Sequence, residues 1–481
     1  MIIKKLPLLG VMLGSLGLPG CDLDIPDLNN PGQDQLDTNP TVTTVNSAAT
    51  GLLIGNRTAK GTTTGYVNLL GILGREAYDF DVSDNRFTTE MLQGPLINND
   101  AFGGGFWAGP YANIRLGNLI LHGVDKVDEY ADRDKQAIRG FTHTIQALEL
   151  MVVILTHDVT GAVIDTDRPV DELGPFVSKD AVYVEIARLL DQGRTELTAA
   201  VAADAGDDAP FSFPLSPGFS GFTTPKNFIK FNRAIRARIA VYHKDYQMAL
   251  DALAASFIDD TSETINFNLG VFYSYSVAVG DATNGLNNRS IYAHPGLTTD
   301  AKKQPDNKTP DARYGAKIIS AAIGNGPTGS GVSSTIKFKM YTNISSIPVI
   351  RNEELILLKA EALYFSDANR SQKQAAVDKL NIVRQKSGGL GPLDANQITS
   401  DDAFIQALLY ERRYSLMFEG GHRWIDLRRF GIPLPLDVEM DSADGKVLKH
   451  VRNLHYPVPL AECDARPGEP ACAIASQQSS P

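Results

Sequence analysis

The sequence predicts a mainly α-helical protein, a single domain of packed helix pairs that carries a loop-rich ligand-binding face. Two observations lead to this fold class. Apolar residues recur at helical spacing over most of the chain from residue 111 onwards, whereas two long segments, 55–110 and 257–347, lack such a period. The 481 residues are 43% hydrophobic and 21% charged, which is an ordinary globular composition.

The N-terminus predicts export and lipid attachment. Two lysines precede the apolar run LPLLGVMLGSLGL, which is typical of a signal peptide and too short to span a bilayer. The run leads into Leu-Pro-Gly-Cys at Cys21, which resembles the lipobox of bacterial lipoproteins. We expect a signal peptide at 1–20, a lipidated Cys21 with a flexible tether over 21–44, and the binding domain at 45–481. The alternative is a soluble secreted protein in which this cysteine occurs by chance. No later stretch is apolar enough to cross a bilayer, so lipid is the expected anchor.

Three long amphipathic helices are expected first in the domain, at residues 111–130, 133–159 and about 181–201. Each stretch places apolar side chains three or four residues apart, and such faces bury against one another. The apolar positions of the first two helices include Ile114, Leu119, Ile120, Val124, Ile138, Phe141, Ile145, Leu148 and Val152.

Two helix pairs are expected next. The first covers 227–242 and 246–256, and its string IAVYHKDYQMALDALAAS resembles the turn and second helix of a tetratricopeptide repeat. The second covers 351–364 and 371–389 and ends at a double glycine, a common helix stop. Because the pairs lie far apart in the chain, we expect one wrapped α-domain and not a regular solenoid.

Several classes of chemistry are disfavoured. A net charge of −11 and a pI near 5.3 argue against nucleic-acid binding. The chain has no H-E-x-x-H, C-x-x-C or G-x-S-x-G motif, so we predict no catalytic, metal or cofactor site. The motif GNGPTG at 324–329 is interpreted as a loop, and Asp79, Asp81, Asp84 and Asn85 as a solvated turn. A pair of carboxylates for glycoside hydrolysis stays open.

Aromatic residues in the two irregular segments are the candidate ligand contacts. Flat rings stack on sugars or on peptide side chains, and nearby polar groups bond hydroxyls or amides. We expect most of these rings to be buried under their own loops and two or three to face the ligand. The candidates are Phe80, Phe87, Phe102, Phe106, Tyr273, Tyr275, Tyr292 and Tyr314.

Residues 409–431, LYERRYSLMFEGGHRWIDLRRFG, are predicted to be a structural clasp near the C-terminus. A helix is expected to begin after a cap at Asp401 or Asp402 and to end at Gly420-Gly421. Acidic residues of the segment are expected to pair with its own arginines. They are Glu411, Glu419 and Asp426, with Arg412, Arg423 and Arg428.

Two cysteines, Cys463 and Cys472, lie close together in a tail that contains Pro and Gly. Because an exported protein meets oxidising conditions, we predict a small disulfide loop here. Such a disulfide would cross-link the tail and have no catalytic role.

Taken together, these stretches resemble the SusD/RagB family of outer-membrane nutrient-binding lipoproteins. The resemblance spans nearly the whole mature chain. Its strongest part is the clasp, where Ser415 and Gly421 depart from the family pattern. The matching residues are Trp107, Tyr111, Ile114, Asn118-Leu119, Arg351-Asn352-Glu353-Glu354-Leu355, Lys359-Ala360-Glu361-Ala362, Leu380-Asn381-Ile382-Val383-Arg384, Glu411-Arg412, Leu416, Phe418-Glu419-Gly420, His422-Arg423, Asp426-Leu427-Arg428-Arg429 and His455-Tyr456-Pro457-Val458-Pro459.

The resemblance implies a surface protein without enzymatic activity. Family members capture oligosaccharides, or peptides in some branches, above a SusC-like TonB-dependent transporter in the outer membrane. Their ligand contacts lie in variable loops, so no binding residue is carried over by motif, and Trp107 matches a helix-packing position. An α-helical glycosidase, a peptide-binding member and a pure protein scaffold remain the alternatives.

Overall fold

The computed structural model describes residues 33–169, 171–437 and 450–476. The predicted signal peptide and the lipidated cysteine lie outside these residues. The mainly α-helical fold is confirmed.

The described residues form sixteen α-helices joined by short 3-10 turns, one π-helical turn and loops. They are α1 (Gln33–Thr38), α2 (Val42–Arg57), α3 (Tyr66–Leu73), α4 (Arg86–Thr88), α5 (Ala108–Val124), α6 (Asp132–His157), α7 (Lys179–Ala203), α8 (Pro225–Tyr242), α9 (Tyr246–Ala254), α10 (Gly296–Thr299), α11 (Ala312–Lys317), α12 (Asn352–Phe365), α13 (Lys373–Lys386), α14 (Asp401–Ser415), α15 (His422–Arg429) and α16 (Leu460–Ala465).

Eight short strands in the described ranges form four two-stranded antiparallel sheets. Each sheet pairs two strands from the connections between helices, and the paired strands are close in the chain in some sheets and far apart in others. The strands are β1 (Ala77–Asp79) with β5 (Ile291–Ala293), β2 (Ala162–Val163) with β3 (Phe176–Val177), β4 (Gly270–Tyr273) with β8 (Ile347–Arg351), and β6 (Ile318–Asn325) with β7 (Ser333–Phe338). The GNGPTG motif covers the last two residues of β6 and the first four of the loop that leads to β7, so the loop interpretation holds from Gly326 onwards.

Helix α6 is the centre of the core, packed between α5 and α7. Phe141 and Ile145 are fully buried, and so are most residues of its second half. The stretch Asp132–Thr160 is long and apolar enough to cross a membrane, contrary to the sequence-based expectation. Because 89% of its apolar window is covered by other parts of the fold, it serves here as a core helix.

The predicted tether over residues 21–44 is wrong in its second half. Helix α1 starts at Gln33, and α2 starts at Val42 after a capping box formed by Thr41 and Thr44. Leu36 is 1% exposed because α1 packs on α5. Helix α1 has six residues, of which one is apolar, and it lies in a polar stretch that contains prolines. One apolar residue shows no helical spacing, so the sequence does not reveal this helix.

Both helix pairs form as predicted. α8 packs on α9, and α12 packs on α13. Ala249 and Ala252 on α9 are buried, which lets neighbouring helices approach closely. Gly389, beyond the end of α13, has φ +67°, the left-handed conformation that commonly ends a helix.

The clasp is held by different caps from those predicted. The side chain of Ser400 accepts a hydrogen bond from the backbone N–H of Ala403, so Ser400 caps α14 in place of either aspartate. The helix ends at Ser415, and Gly421 begins the next helix with φ +70°. The double glycine therefore makes the turn between two helices.

One of the predicted ion pairs is present, whereas the carboxylate of Glu419 pairs with residues that come earlier in the chain than the clasp. Arg412 Nε lies 2.6 Å from Asp426 Oδ2, with both side chains buried. Glu419, which is 6% exposed, accepts hydrogen bonds from Arg351 Nε and Lys317 Nζ, both at 2.9 Å. The clasp is therefore bound to β8 and α11 by buried charges.

Glu411 also pairs outside the clasp. Its two carboxylate oxygens lie 2.7 Å from Arg384 and from Arg313, respectively. Ser415, which departs from the family pattern, donates to Glu353 Oε1 at 2.8 Å and accepts from Arg313 Nη1 at 3.0 Å. The clasp thus joins α11, α12 and α13 through one connected set of charged groups.

Gly421→Ala is expected to lower the free energy of unfolding by more than about 1 kcal/mol, since a left-handed non-glycine residue costs about 1–2 kcal/mol. An added Cβ would also lie 2.5 Å from Leu70 Cβ. Gly420→Ala is the matched control, because its Cβ would meet nothing closer than His422 Nε2 at 3.6 Å. Denaturant unfolding of the two variants measures the difference, and equal stabilities would contradict the prediction.

Candidate ligand-binding site

A cleft of about 450 Å³ opens between the first irregular segment and helix α6. Most of its lining residues come from residues 55–110, one of the two irregular segments in which a site is expected. We call it the Phe106 cleft. Its principal lining side chains are Lys60, Tyr66, Phe102, Phe106, Glu149 and Val152.

Aromatic rings line the Phe106 cleft. Phe106 meets Tyr66 edge to face, with ring centroids 5.4 Å apart, and meets Tyr456 in the same manner at 5.1 Å. Phe102 packs against Phe87 at 5.1 Å. Tyr66 and Phe106 are partly exposed, whereas Phe102 is 6% exposed. The packed aromatic rings therefore present part of their surface to the cleft.

The backbone that presents Phe106 is strained. Phe106 has φ +61°, a left-handed conformation that costs a bulky residue about 1–2 kcal/mol. The glycines before it allow the tight turn, since a Cβ on Gly103 would lie 1.7 Å from the carbonyl oxygen of Ile97. Strain of this kind concentrates at functional sites, where the surrounding structure holds it.

Two buried charged groups belong to the same cleft. Lys60 is 6% exposed and Glu149 is 2% exposed. Glu149 Oε1 accepts hydrogen bonds from Asn56 Nδ2 at 2.9 Å and from Asn113 Nδ2 at 2.6 Å. The Lys60 ammonium lies 5.2 Å from the Tyr66 ring centroid. The amides and the ring hold both charges in position.

The electrostatics of these two groups are linked. Burial lowers the pKa of Lys60, and the Glu149 carboxylate opposes that shift. Burial raises the pKa of Glu149, and the Lys60 charge and two amide donors oppose it. Each charged form is therefore stabilised by the other group across the cleft.

A smaller cavity of about 60 Å³ lies behind the cleft. Lys60, Tyr66 and Val152 line both spaces, and Tyr273 lines the inner one. The Tyr273 ring centroid is 6.0 Å from the Lys60 ammonium. Lys60 therefore stands between an outer cleft and an inner space large enough for water.

Residues 327–462, which contain α12 to α15, match the model of the SusD family. This match identifies residues 327–462 as a SusD-family region. It covers the clasp and its partners on α12 and α13, but none of the six principal lining residues of the cleft.

Solved structures extend the likeness over the whole fold. A SusD-like carbohydrate binding protein from Bacteroides fragilis is 18% identical, with a TM-score of 0.63 over 90% of this chain and 99% of that one. A SusD superfamily protein from Bacteroides vulgatus is 14% identical, with a TM-score of 0.62 over 90% and 98%. A laminarin binding SusD-like protein is 17% identical, with a TM-score of 0.57 over 88% and 97%. At these identities the likeness shows the fold. No curated protein sequence matches the chain.

Three of the eight aromatic residues predicted for ligand contact lie at this site. Phe102 and Phe106 line the cleft, and Tyr273 lines the inner cavity. Their contact with ligand stays a prediction.

The other five aromatic candidates lie away from the cleft. Phe80, Phe87 and Tyr275 are at most 9% exposed, with Phe80 stacked on Tyr78 and Tyr275 beneath Arg57. All three rings are buried, and residues distant in the chain help to cover two of them, Tyr292 at Phe80 and Arg57 at Tyr275. Tyr292 and Tyr314 are partly exposed on the second irregular segment, where Tyr292 lies under the Lys337 ammonium.

Sequence reasoning missed Lys60, Tyr66 and Glu149. Glu149 left a usable signal, because it is an isolated carboxylate within the apolar stretch QALELMVVIL of α6. A charge at a core position needs a partner or a ligand. Lys60 lies in the loop before α3 and Tyr66 is the first residue of α3, and neither has a comparable pattern around it.

The acidic cluster near residue 80 forms ordinary turns. Asp81 Oδ1 accepts from the backbone and hydroxyl of Ser83, and Asp84 pairs with Arg86 at 2.7 Å. Both carboxylates are occupied by bonds within their own loop. Asp79 accepts from Asn68 Nδ2 at 2.9 Å instead.

A second cavity, of about 300 Å³, lies beside Trp107 and the C-terminal tail. Trp107 is 4% exposed, stacks on Phe176 at 5.5 Å and donates to Glu462 at 3.3 Å. Cys463 and Cys472 form a disulfide in this tail. Trp107 thus has the packing role that its sequence position implied.

Proposed function

We propose that this chain is a lipid-anchored outer-membrane protein of the SusD family that binds an oligosaccharide or polysaccharide and delivers it to a SusC-like TonB-dependent transporter. The observation that carries the proposal is the Phe106 cleft, where ring surfaces meet buried hydrogen-bonding charges. Sugars present apolar ring faces and many hydroxyls, so one such cleft can satisfy both. The carbohydrate and laminarin binding named for two similar structures support a glycan ligand.

Binding without turnover is the proposed activity. Glycoside hydrolysis uses two carboxyl groups that flank the scissile bond. Glu149 is the one acidic residue that lines the Phe106 cleft in the described part of the chain. This favours capture of the ligand over its hydrolysis, and the glycosidase alternative predicts release of reducing ends by the purified protein.

The lipid anchor and the transporter partner rest on the N-terminal sequence and the family resemblance. The LPGC lipobox precedes the first described helix by about a dozen residues, so the folded domain would follow the lipid closely. Capture near the transporter raises the local concentration of the glycan at the pore. If Cys21→Ala leaves the protein firmly in the membrane fraction, the lipid anchor is wrong.

Phe106→Ala is expected to weaken glycan binding at least about tenfold, or about 1.4 kcal/mol, because an aromatic contact with the ligand is lost. Isothermal calorimetry on the full-length protein in mild detergent measures this, with a glycan that the wild type binds from a panel. Peptides in the same panel test the alternative of a peptide-binding family member.

Two tyrosine variants provide the controls. Tyr292→Ala reports on the second irregular segment, and Tyr246→Ala removes a ring that packs on Phe365 outside both segments. If Tyr292→Ala loses glycan binding and Phe106→Ala keeps it, the ligand does not bind in the Phe106 cleft. Tyr246→Ala should leave affinity unchanged.

A further inference from the structure

Two nine-tenths buried charged groups line the Phe106 cleft with bonding capacity unused. Both hydrogen bonds to Glu149 go to Oε1, and no described residue donates to Oε2. The Lys60 ammonium makes no hydrogen bond to any described residue, and no carboxylate of the described chain lies within 4.0 Å of it. Neither atom is among the fully enclosed side-chain atoms that lack a partner, so both reach the cleft, where a bound molecule can complete their hydrogen bonds.

The missing partners define the ligand chemistry. Lys60 needs an acceptor, and Glu149 Oε2 needs a donor, both in one cleft. A hydroxyl supplies both roles at once, and neighbouring hydroxyls on a sugar ring can divide them. Hydrogen bonds to charged groups are also the stronger kind.

We infer that Lys60 and Glu149 are the specificity-determining pair of the cleft and that they select an uncharged sugar residue through its hydroxyls. This inference rests on the proposed glycan-binding function. A uronic acid or a sulfated sugar also has hydroxyls for both groups, but it carries a negative charge. That charge would face the buried Glu149 carboxylate, and the chain's net charge of −11 disfavours polyanions further.

Both groups are held in place before the ligand arrives. Asn56 and Asn113 fix the carboxylate, as described above. The backbone N–H of Lys60 donates to Arg57 O at 3.1 Å, and its carbonyl accepts from Val67 at 3.3 Å. Because little rearrangement is needed on binding, the pair discriminates between ligands with small entropic loss.

The test is a binding profile of the full-length protein in mild detergent. The probes are four neutral glycans (laminarin, starch, xylan and galactomannan) and two uronate polymers (alginate and polygalacturonate). We expect binding to at least one neutral glycan and at least tenfold weaker binding to both uronates. This comparison uses the wild type alone, so it does not depend on any variant folding.

Two substitutions then assign the selectivity to the pair. Lys60→Met and Glu149→Gln should each weaken the neutral glycan at least tenfold, and Glu149→Gln should narrow the gap between neutral and uronate probes. Equal or tighter uronate binding by the wild type overturns the inference. The inference is also overturned if Lys60→Met binds the neutral glycan within twofold of the wild type while Phe106→Ala has lost binding. That outcome leaves the proposed function intact. Absence of binding to every glycan, or binding to peptides alone, overturns both.

Discussion

Replacing Glu419 by alanine is expected to lower the free energy of unfolding by about 3–5 kcal/mol, the usual cost of removing one partner from a buried ion pair. Its carboxylate lies in the interior and accepts hydrogen bonds from Arg351 through two nitrogens, at 2.9 and 3.0 Å, and from Lys317. Alanine leaves both cations without that counter-charge. Arg351 keeps its pairing with Glu353, which limits the loss.

The matched control is Glu172→Ala. Glu172 is 61% exposed and lies 3.9 Å from Arg168, so its ion pair is worth at most about 1 kcal/mol. Denaturant unfolding at neutral pH measures both variants. Equal stabilities of the two would show that Glu419 does not hold the clasp in place.

The sequence predicted the helices of this fold well and the partners of the clasp poorly. α6 and α7 each carry a strong apolar period over more than twenty residues, and their bounds fall within a few residues of those expected. The clasp's charged residues were recognised as structural, but their partners lie as many as 349 positions away in the chain, as between Arg423 and Gly74. A local pattern carries no information about such distant pairing.

The candidate site shows the same division between local and distant information. The sequence predicted a site in the two irregular segments because a long aperiodic stretch inside a compact domain usually carries function, and the cleft lies mostly in the first of them. It selected rings by type, although Phe80 and Phe87 are buried. The pair of Lys60 and Glu149 was missed because the two residues are 89 positions apart and meet only once α6 is packed.

The free energy of unfolding is expected to fall gently between pH 7 and about 5, because two buried histidines oppose and outweigh one buried glutamate there. Burial raises the pKa of Glu76 to about 7, so the folded state takes up a proton first and gains stability as the pH falls. Burial lowers the pKa of His157 to about 3 and of His422 to about 4. Their unfolded forms bind protons from about pH 6.5 downwards, which destabilises the fold.

Below about pH 4.5 we expect a steep loss of stability. Burial alone would raise the pKa of Glu353 and Glu354, but Arg351 overcomes it for the first and Arg238 for the second, and both pKa values are held at about 2. Unfolding lets both carboxylates protonate near pH 4.5, so the stability that they contribute above that pH is lost as the pH falls towards 2. The two carboxylates, at about 1.36 kcal/mol per proton, contribute a slope of about 2.7 kcal/mol per pH unit, and the two buried histidines add to it until they bind protons in the folded state.

The slope, and not the midpoint alone, tests this account. Denaturant unfolding at half-unit steps from pH 7 to pH 3 should give a gentle fall in the free energy of unfolding, followed by a steep fall below about pH 4.5. Glu354→Gln lowers the starting stability, since Arg238 loses contacts at 2.6 Å, but it should also reduce the slope by about one proton, or about 1.4 kcal/mol per pH unit. Glu172→Gln should leave the slope unchanged. A wild-type slope that is shallow below pH 4.5 would mean that Glu353 and Glu354 titrate normally in the folded chain, and their buried pairs would then contribute little to its stability.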